Sequence, residues 1–220
     1  MSLVLGILIR DNSGNQEIIF ASDGRSVAHN TKKIRNEDVE KIKKLTPKIC
    51  MGYVGHSAEL YEDVYKELEN KIQEMKIKDL PSISSKLKAV ILEQQNTRKH
   101  KEIERKYGPL NHAFIIGGVF HQKLRINILL SKNNFLIKKH KFPPRINISF
   151  QILGSTTEIH KKVEIIARER LDRKQSFDEI VRNIRYIISK AAESYYGTND
   201  HIFIRRLSKN FEIETYIGYE

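Results

Sequence analysis

The sequence predicts an α+β protein, a four-layer αββα sandwich with two largely antiparallel sheets between helix pairs. Three observations carry this. Short, β-prone apolar runs follow one another through tight turns, so neighbouring strands run antiparallel. Helical periodicity comes in two pairs, one after each early group of strands. A helix with one apolar face needs a sheet to bury it against, and the economical solution is two sheets face to face with a helix pair outside each.

Residues 3–9 and 18–22 are the first strands, and Asp11, Asn12, Ser13, Gly14 and Asn15 between them are turn formers, so the pair reads as a hairpin. Residues 48–54 are a third apolar run, closed by Gly55. Leu60, Val64, Leu68 and Ile72 then recur every four residues, one face of a helix. Pro81 opens a second helix with Ile83, Leu87, Val90 and Ile91 on its apolar side; its polar continuation, 94–106, reads as a frayed end or surface loop stopped by Gly108 and Pro109. Four strands follow at 112–120, 124–130, 135–140 and 146–153. A helix over 156–171 carries Ile159, Val163 and Ile166, and a second over 177–195 opens on a Ser176/Glu179 capping box. Strands at 200–207 and 211–217 end the chain. No linker, repeat or low-complexity segment divides residues 1–220, which read as one domain.

The 220 residues hold 39 Lys and Arg against 27 Asp and Glu, a formal net charge of +12, and 40% are hydrophobic. That is too apolar for a disordered chain and long enough for a core without staples. The single cysteine, Cys50, excludes an intramolecular disulfide framework and a multi-cysteine zinc site. No run approaches the ~20 apolar residues of a membrane helix, and no leader is evident, so a cytoplasmic location without membrane attachment is expected. Residues 105–157 contain no Asp or Glu but nine Lys and Arg, including Lys138, Lys139 and Lys141. Such a block suits an acidic partner or substrate. Nucleic acid ranks lower, because interleaved aromatics and recognised binding motifs are missing.

Gly-x-Ser-x-Gly, Walker, Rossmann and His-Glu-x-x-His motifs are absent, and the eight histidines are scattered, so neither metal nor cofactor is expected. The start of the chain is more informative. Methionine before a small residue is normally removed, which would leave Ser2 with both a hydroxyl and a free α-amine. An α-amine has an ordinary pKa of ~7.7–8.0 and can take the hydroxyl proton near neutral pH, so one residue supplies nucleophile and base.

Three further segments accompany Ser2-Leu3-Val4-Leu5-Gly6-Ile7. They are Ala21-Ser22-Asp23-Gly24-Arg25 with Asn30-Thr31-Lys32-Lys33-Ile34 after it, Tyr53-Val54-Gly55-His56-Ser57-Ala58-Glu59, and Ile152-Leu153-Gly154-Ser155-Thr156. In this order they resemble the proteasome β-subunits and the related two-component bacterial peptidase, members of the N-terminal-nucleophile (Ntn) hydrolases. The resemblance runs the length of the chain through element order and both helix pairs. It implies the Ntn-hydrolase fold and gives Ser2 the place of the family's N-terminal threonine. It implies that Asp23 pairs with the lysine beside the nucleophile, Lys33, with Lys32 competing one residue away. It further implies an oxyanion donor at the Gly55 N–H, a supporting Ser155, and Glu193 where the family has an aspartate. Taken singly, Asp23 and Lys33 also fit a structural ion pair, Gly55 a helix-entry turn and Ser155 an N-cap.

Departures from the pattern are serine for threonine, which loses the rotamer-restricting methyl, His56 for a second glycine, the longer Glu193, Tyr196 for a small hydroxyl residue, and a shortened segment between Asp23 and Lys33. The expected function is a proteasome-like peptidase, dependent on loss of Met1, acting on peptide or unfolded protein within a ring-shaped homo-oligomer or with related subunits. The alternative is a catalytically inactive ring or scaffold subunit.

Overall fold

A computed structural model describes residues 3–10, 14–27, 34–36, 38–55, 58–108, 110–121, 123–140, 147–154, 157–172, 174–194, 199, 201–208 and 213–218. It is α+β, with two five-stranded antiparallel sheets and five α-helices among those residues. The first sheet contains β1 (Leu3–Arg10), β2 (Gln16–Asp23), β10 (Ile148–Gly154), β11 (Ile202–Leu207) and β12 (Ile213–Gly218), in the order β10-β1-β2-β11-β12. The second is a meander in chain order: β5 (Ile42–Thr46), β6 (Ile49–Gly55), β7 (His112–Phe120), β8 (Lys123–Leu130) and β9 (Lys138–His140). A small ribbon pairs β3 (Ser26–Val27) with β4 (Ile34–Asn36).

Period-two alternation sorts the apolar residues of each strand onto two buried faces. On β1, Leu3, Leu5, Ile7 and Ile9 pack with Val163 and Ala167 of α4 (Thr157–Arg170) and with Ile180, Ile184, Ile187 and Ile188 of α5 (Phe177–Ser194). On β6, Ile49, Met51 and Tyr53 pack with Tyr61, Val64 and Leu68 of α1 (Ala58–Glu74) and with Ile83, Leu87 and Val90 of α2 (Leu80–Gln95). The opposite faces meet each other, Val4, Leu8, Ile18 and Phe20 of one sheet against Cys50, Val54, Ile115 and Ile126 of the other. Three apolar clusters in these positions are compatible with a sandwich.

The two sheets approach closely where side chains are missing. A Cβ on Gly6 would stand 2.3 Å from Ile115 Cδ1, and one on Gly52 would stand 2.9 Å from Val4 Cγ1 and from Ile115 Cγ2. Glycine at these points lets β1 lie directly over β6 and β7.

Caps confirm the helix signals. Asp79 accepts from the Ser82 N–H at 2.9 Å and Pro81 sits in the first turn of α2. The Ser176 N–H donates to Glu179 Oε2 at 2.7 Å, closing the capping box of α5.

Five elements depart from expectation. Residues 98–107 form a true helix, α3 (Arg98–Tyr107), rather than a frayed end: Thr97 caps it by accepting from the His100 N–H at 3.2 Å, and an Arg98–Glu102 pair spans one turn. The strand expected over 135–140 shrinks to β9, because Asn134 and Phe135 turn through left-handed φ angles of 51° and 52° while Phe135 anchors in the core. β5 was masked in the sequence by its lysines, and the short β3–β4 ribbon carries no periodic signal. No described helix is long and apolar enough to cross a membrane.

Gly6→Ala is predicted to destabilise the protein by about 1–3 kcal/mol through overpacking. Ile115→Val, which deletes the clashing Cδ1, should recover part of that loss. Urea denaturation of the two single variants and the double variant checks this.

Candidate functional site

Asp23 ends β2 and is fully buried, and all its described partners are donors. The Leu3 N–H donates to Oδ1 at 2.7 Å, the Arg25 N–H donates to Oδ2 at 3.1 Å, and Lys41 Nζ meets Oδ1 at 2.7 Å. A carboxylate removed from water needs this enclosure by donors and positive charge. Next to it, the Gly24 N–H donates to Oδ1 of the buried Asn199 at 2.8 Å. These contacts fix the start of β1 against the end of β2.

Lys41 is itself only 4% exposed. Burial lowers its pKa below the ordinary lysine value of 10.5, against the raising effect of the Asp23 charge, and nearby Arg25 lowers it further. Its carbonyl accepts from the Tyr53 N–H at 3.1 Å. One residue therefore joins Asp23 in the first sheet to β6 in the second, two positions before Gly55.

Sequence reasoning missed this lysine. It stands in Glu37-Asp38-Val39-Glu40-Lys41-Ile42-Lys43-Lys44, where charge density hides a single buried cation. The available signal was the short strand beginning at Ile42, which pairs with Gly52 and brings Lys41 inward.

Gly55 is the last residue of β6 and registers opposite His112 of β7. Glu193 lies on the last turns of α5, exposed, with both carboxylate oxygens on Lys190 Nζ at 2.6 and 2.8 Å. The described contacts thus bring Asp23, Lys41 and the start of β1 together, link them to β6, and leave Glu193 on a surface ion pair. Ser2, Lys32, Lys33, His56, Ser155 and Tyr196 lie outside the described residues. In the basic block, Lys138 and Lys139 are exposed on β9, and Lys141 lies outside the described residues.

Two competing nucleophiles are disfavoured on physical grounds. The Cys50 thiol is 1% exposed and burial pushes its pKa up to about 12, so it stays protonated. Ser149 Oγ lies 2.8 Å from His140 Nε2, with the Gln151 amide nitrogen against the ring, 3.2 Å from Nδ1 and 3.5 Å from Nε2. Burial and the nearby Lys138 charge hold the His140 pKa below its ordinary value, which makes the ring a weak base for Ser149. Among the described residues no group of three or more His, Cys, Asp or Glu side chains could hold a metal ion.

No protein-family model matches the chain, and no curated protein matches it.

The depressed Lys41 pKa has a pH signature. Between its folded pKa and 10.5 the unfolded chain binds more protons at this residue than the folded chain, so its contribution to stability rises with pH across that window. Denaturant titrations from neutral to alkaline pH should therefore show the native protein gaining stability relative to Lys41→Met. A difference independent of pH contradicts this.

Proposed function

We propose that the chain is an Ntn hydrolase of the proteasome β-subunit type, a four-layer αββα sandwich that cleaves peptide bonds through Ser2 once Met1 is removed. The observation that carries the reading is the buried Asp23 carboxylate, held by Lys41 and bonded to the amide of Leu3, the residue joined directly to Ser2. A buried ion pair is costly to desolvate and weak as a device for stability alone. At the first strand of the chain it has a chemical use.

In this mechanism the Ser2 α-amine takes the Oγ proton and Oγ attacks the substrate carbonyl. The Lys41 ammonium disfavours a second positive charge nearby, which keeps the α-amine neutral and basic. This gives Lys41 the part that the family resemblance assigned to Lys33. Asp23 holds Lys41 in place and anchors the strand that carries the nucleophile. The Gly55 N–H donates to the oxyanion of the tetrahedral intermediate. Collapse breaks the C–N bond, the departing amine takes the proton, and water releases the acyl group from Ser2. A second amine in place of water would give transpeptidation. Substrates are peptides or unfolded protein, and assembly is a ring of like or related subunits, with Lys138 and Lys139 available to an acidic partner.

A non-catalytic ring-building role is the second reading, favoured by Glu193 on its surface pair with Lys190.

Intact-mass analysis with a β-lactone tests the choice, since a nucleophilic hydroxyl opens the lactone and retains its mass. One adduct mapped to Ser2 and absent from Ser2→Ala, with peptide hydrolysis lost in the same variant, is the expected result. Protein from its native source that retains Met1 throughout and forms no adduct at Ser2 overturns the peptidase reading.

A further inference from the structure

We infer that the buried Tyr53–His112 pair is a positioning element that holds Gly55 in place for oxyanion stabilisation, an inference that rests on the reading of Gly55 proposed above. Tyr53 and Gly55 are two residues apart on β6 and so point to the same face. His112 stands opposite Gly55 on β7. The Tyr53 hydroxyl and His112 Nδ1 are hydrogen-bonded at 2.9 Å. A Cβ on Gly55 would lie 2.1 Å from that hydroxyl and 2.5 Å from Nδ1, so the hydrogen-bonded pair fills the space a side chain would take.

The pair is fixed from behind. The Tyr53 ring stacks on Tyr61 at 4.5 Å with 7° between planes, and it meets Phe114 at 5.1 Å. The His112 N–H donates to Ser131 Oγ at 3.1 Å, and the His100 ring is 5.8 Å from the His112 ring. Tyr53 and His112 are only 5% and 6% exposed, and their contact is a polar bond inside the apolar cluster of β6, β7, α1 and α2. Burial makes a well-formed contact rigid. The same Tyr53 donates its N–H to Lys41, so its ring supports Gly55 while its backbone meets the lysine that holds Asp23. An oxyanion donor works only when its position is held to about 0.5 Å, which an unsupported glycine at a strand end does not ensure.

Tyr61 supplies the control. Its hydroxyl is buried with no hydrogen-bond partner among the described residues, and it belongs to the same stack, while the atoms nearest a Gly55 Cβ come from Tyr53 and His112. Tyr53→Phe removes one hydroxyl and its bond to His112; Tyr61→Phe removes one hydroxyl and no described bond.

The experiment is the rate of β-lactone acylation at Ser2 in the full chain, resolved into kinact and KI. Lactone opening passes through an oxyanion: the Ser2 Oγ–acyl bond forms, the ring C–O bond breaks, and the serine proton passes through the α-amine to the departing alkoxide. Tyr53→Phe is expected to lower kinact about 10-fold with KI within about twofold of the native value, while Tyr61→Phe leaves both within about twofold. His112→Asn, whose amide can occupy the Nδ1 position, should retain more kinact than His112→Ala, and this pair carries the test if Tyr53→Phe fails to fold. Equal kinact in Tyr53→Phe and native protein, an equal loss in Tyr61→Phe, or a change in KI alone overturns the inference and leaves the Ser2 reading intact. Native protein that forms no Ser2 adduct overturns both.

Discussion

The buried carboxylate of Asp23 is the constraint around which the rest of the arrangement is built. It has no exposure to water, so it persists in the folded chain only while donors and a positive charge replace hydration. Those donors come from three places in the sequence: the amide of Leu3, the amide of Arg25 and the ammonium of Lys41. Satisfying one side chain therefore fixes the start of β1, the exit from β2 and the approach to β5. Removing one partner of such a pair commonly costs about 3–5 kcal/mol, because the other is left buried and uncompensated.

The second requirement is that two sheets approach closely enough for Lys41 to serve both. Gly6 and Gly52 permit it by omitting side chains where Val4 and Ile115 cross between the layers. Lys41 then meets Asp23 through its side chain and Tyr53 through its backbone, and Tyr53 lies under Gly55. A continuous set of contacts runs from the first described residue of the chain to the end of β6. It passes through one ion pair and several hydrogen bonds, with apolar packing on both sides.

Much of the fold was legible because burial on one face leaves a periodic trace. Leu60, Val64, Leu68 and Ile72 announced α1, and the turn chemistry between residues 9 and 18 announced the antiparallel β1–β2 pair. Elements that do not depend on an apolar face left no such trace. α3 rests on a Thr97 cap and charged side chains, and β5 presents Lys43 and Lys44 between its buried Ile42 and Leu45. The site divides the same way. Asp23 was visible as an acid ending an apolar strand. Lys41 was not, because a lysine buried by a partner 18 residues away looks like its solvated neighbours until the strands are paired. Glu193 adds a contact that spacing alone does not announce: it is exposed and paired with Lys190 one turn earlier on α5.

The central claim is that Asp23 and Lys41 act as one unit on the reactivity of Ser2. A double-mutant cycle on the rate of Ser2 acylation, with Asp23→Asn, Lys41→Met and both together, measures it at a temperature where all four proteins are folded. If the pair is one unit, the double variant is about as slow as the slower single variant, because the second change removes nothing further. Losses that multiply independently, or a Lys41→Met variant as fast as the native protein, would contradict the account.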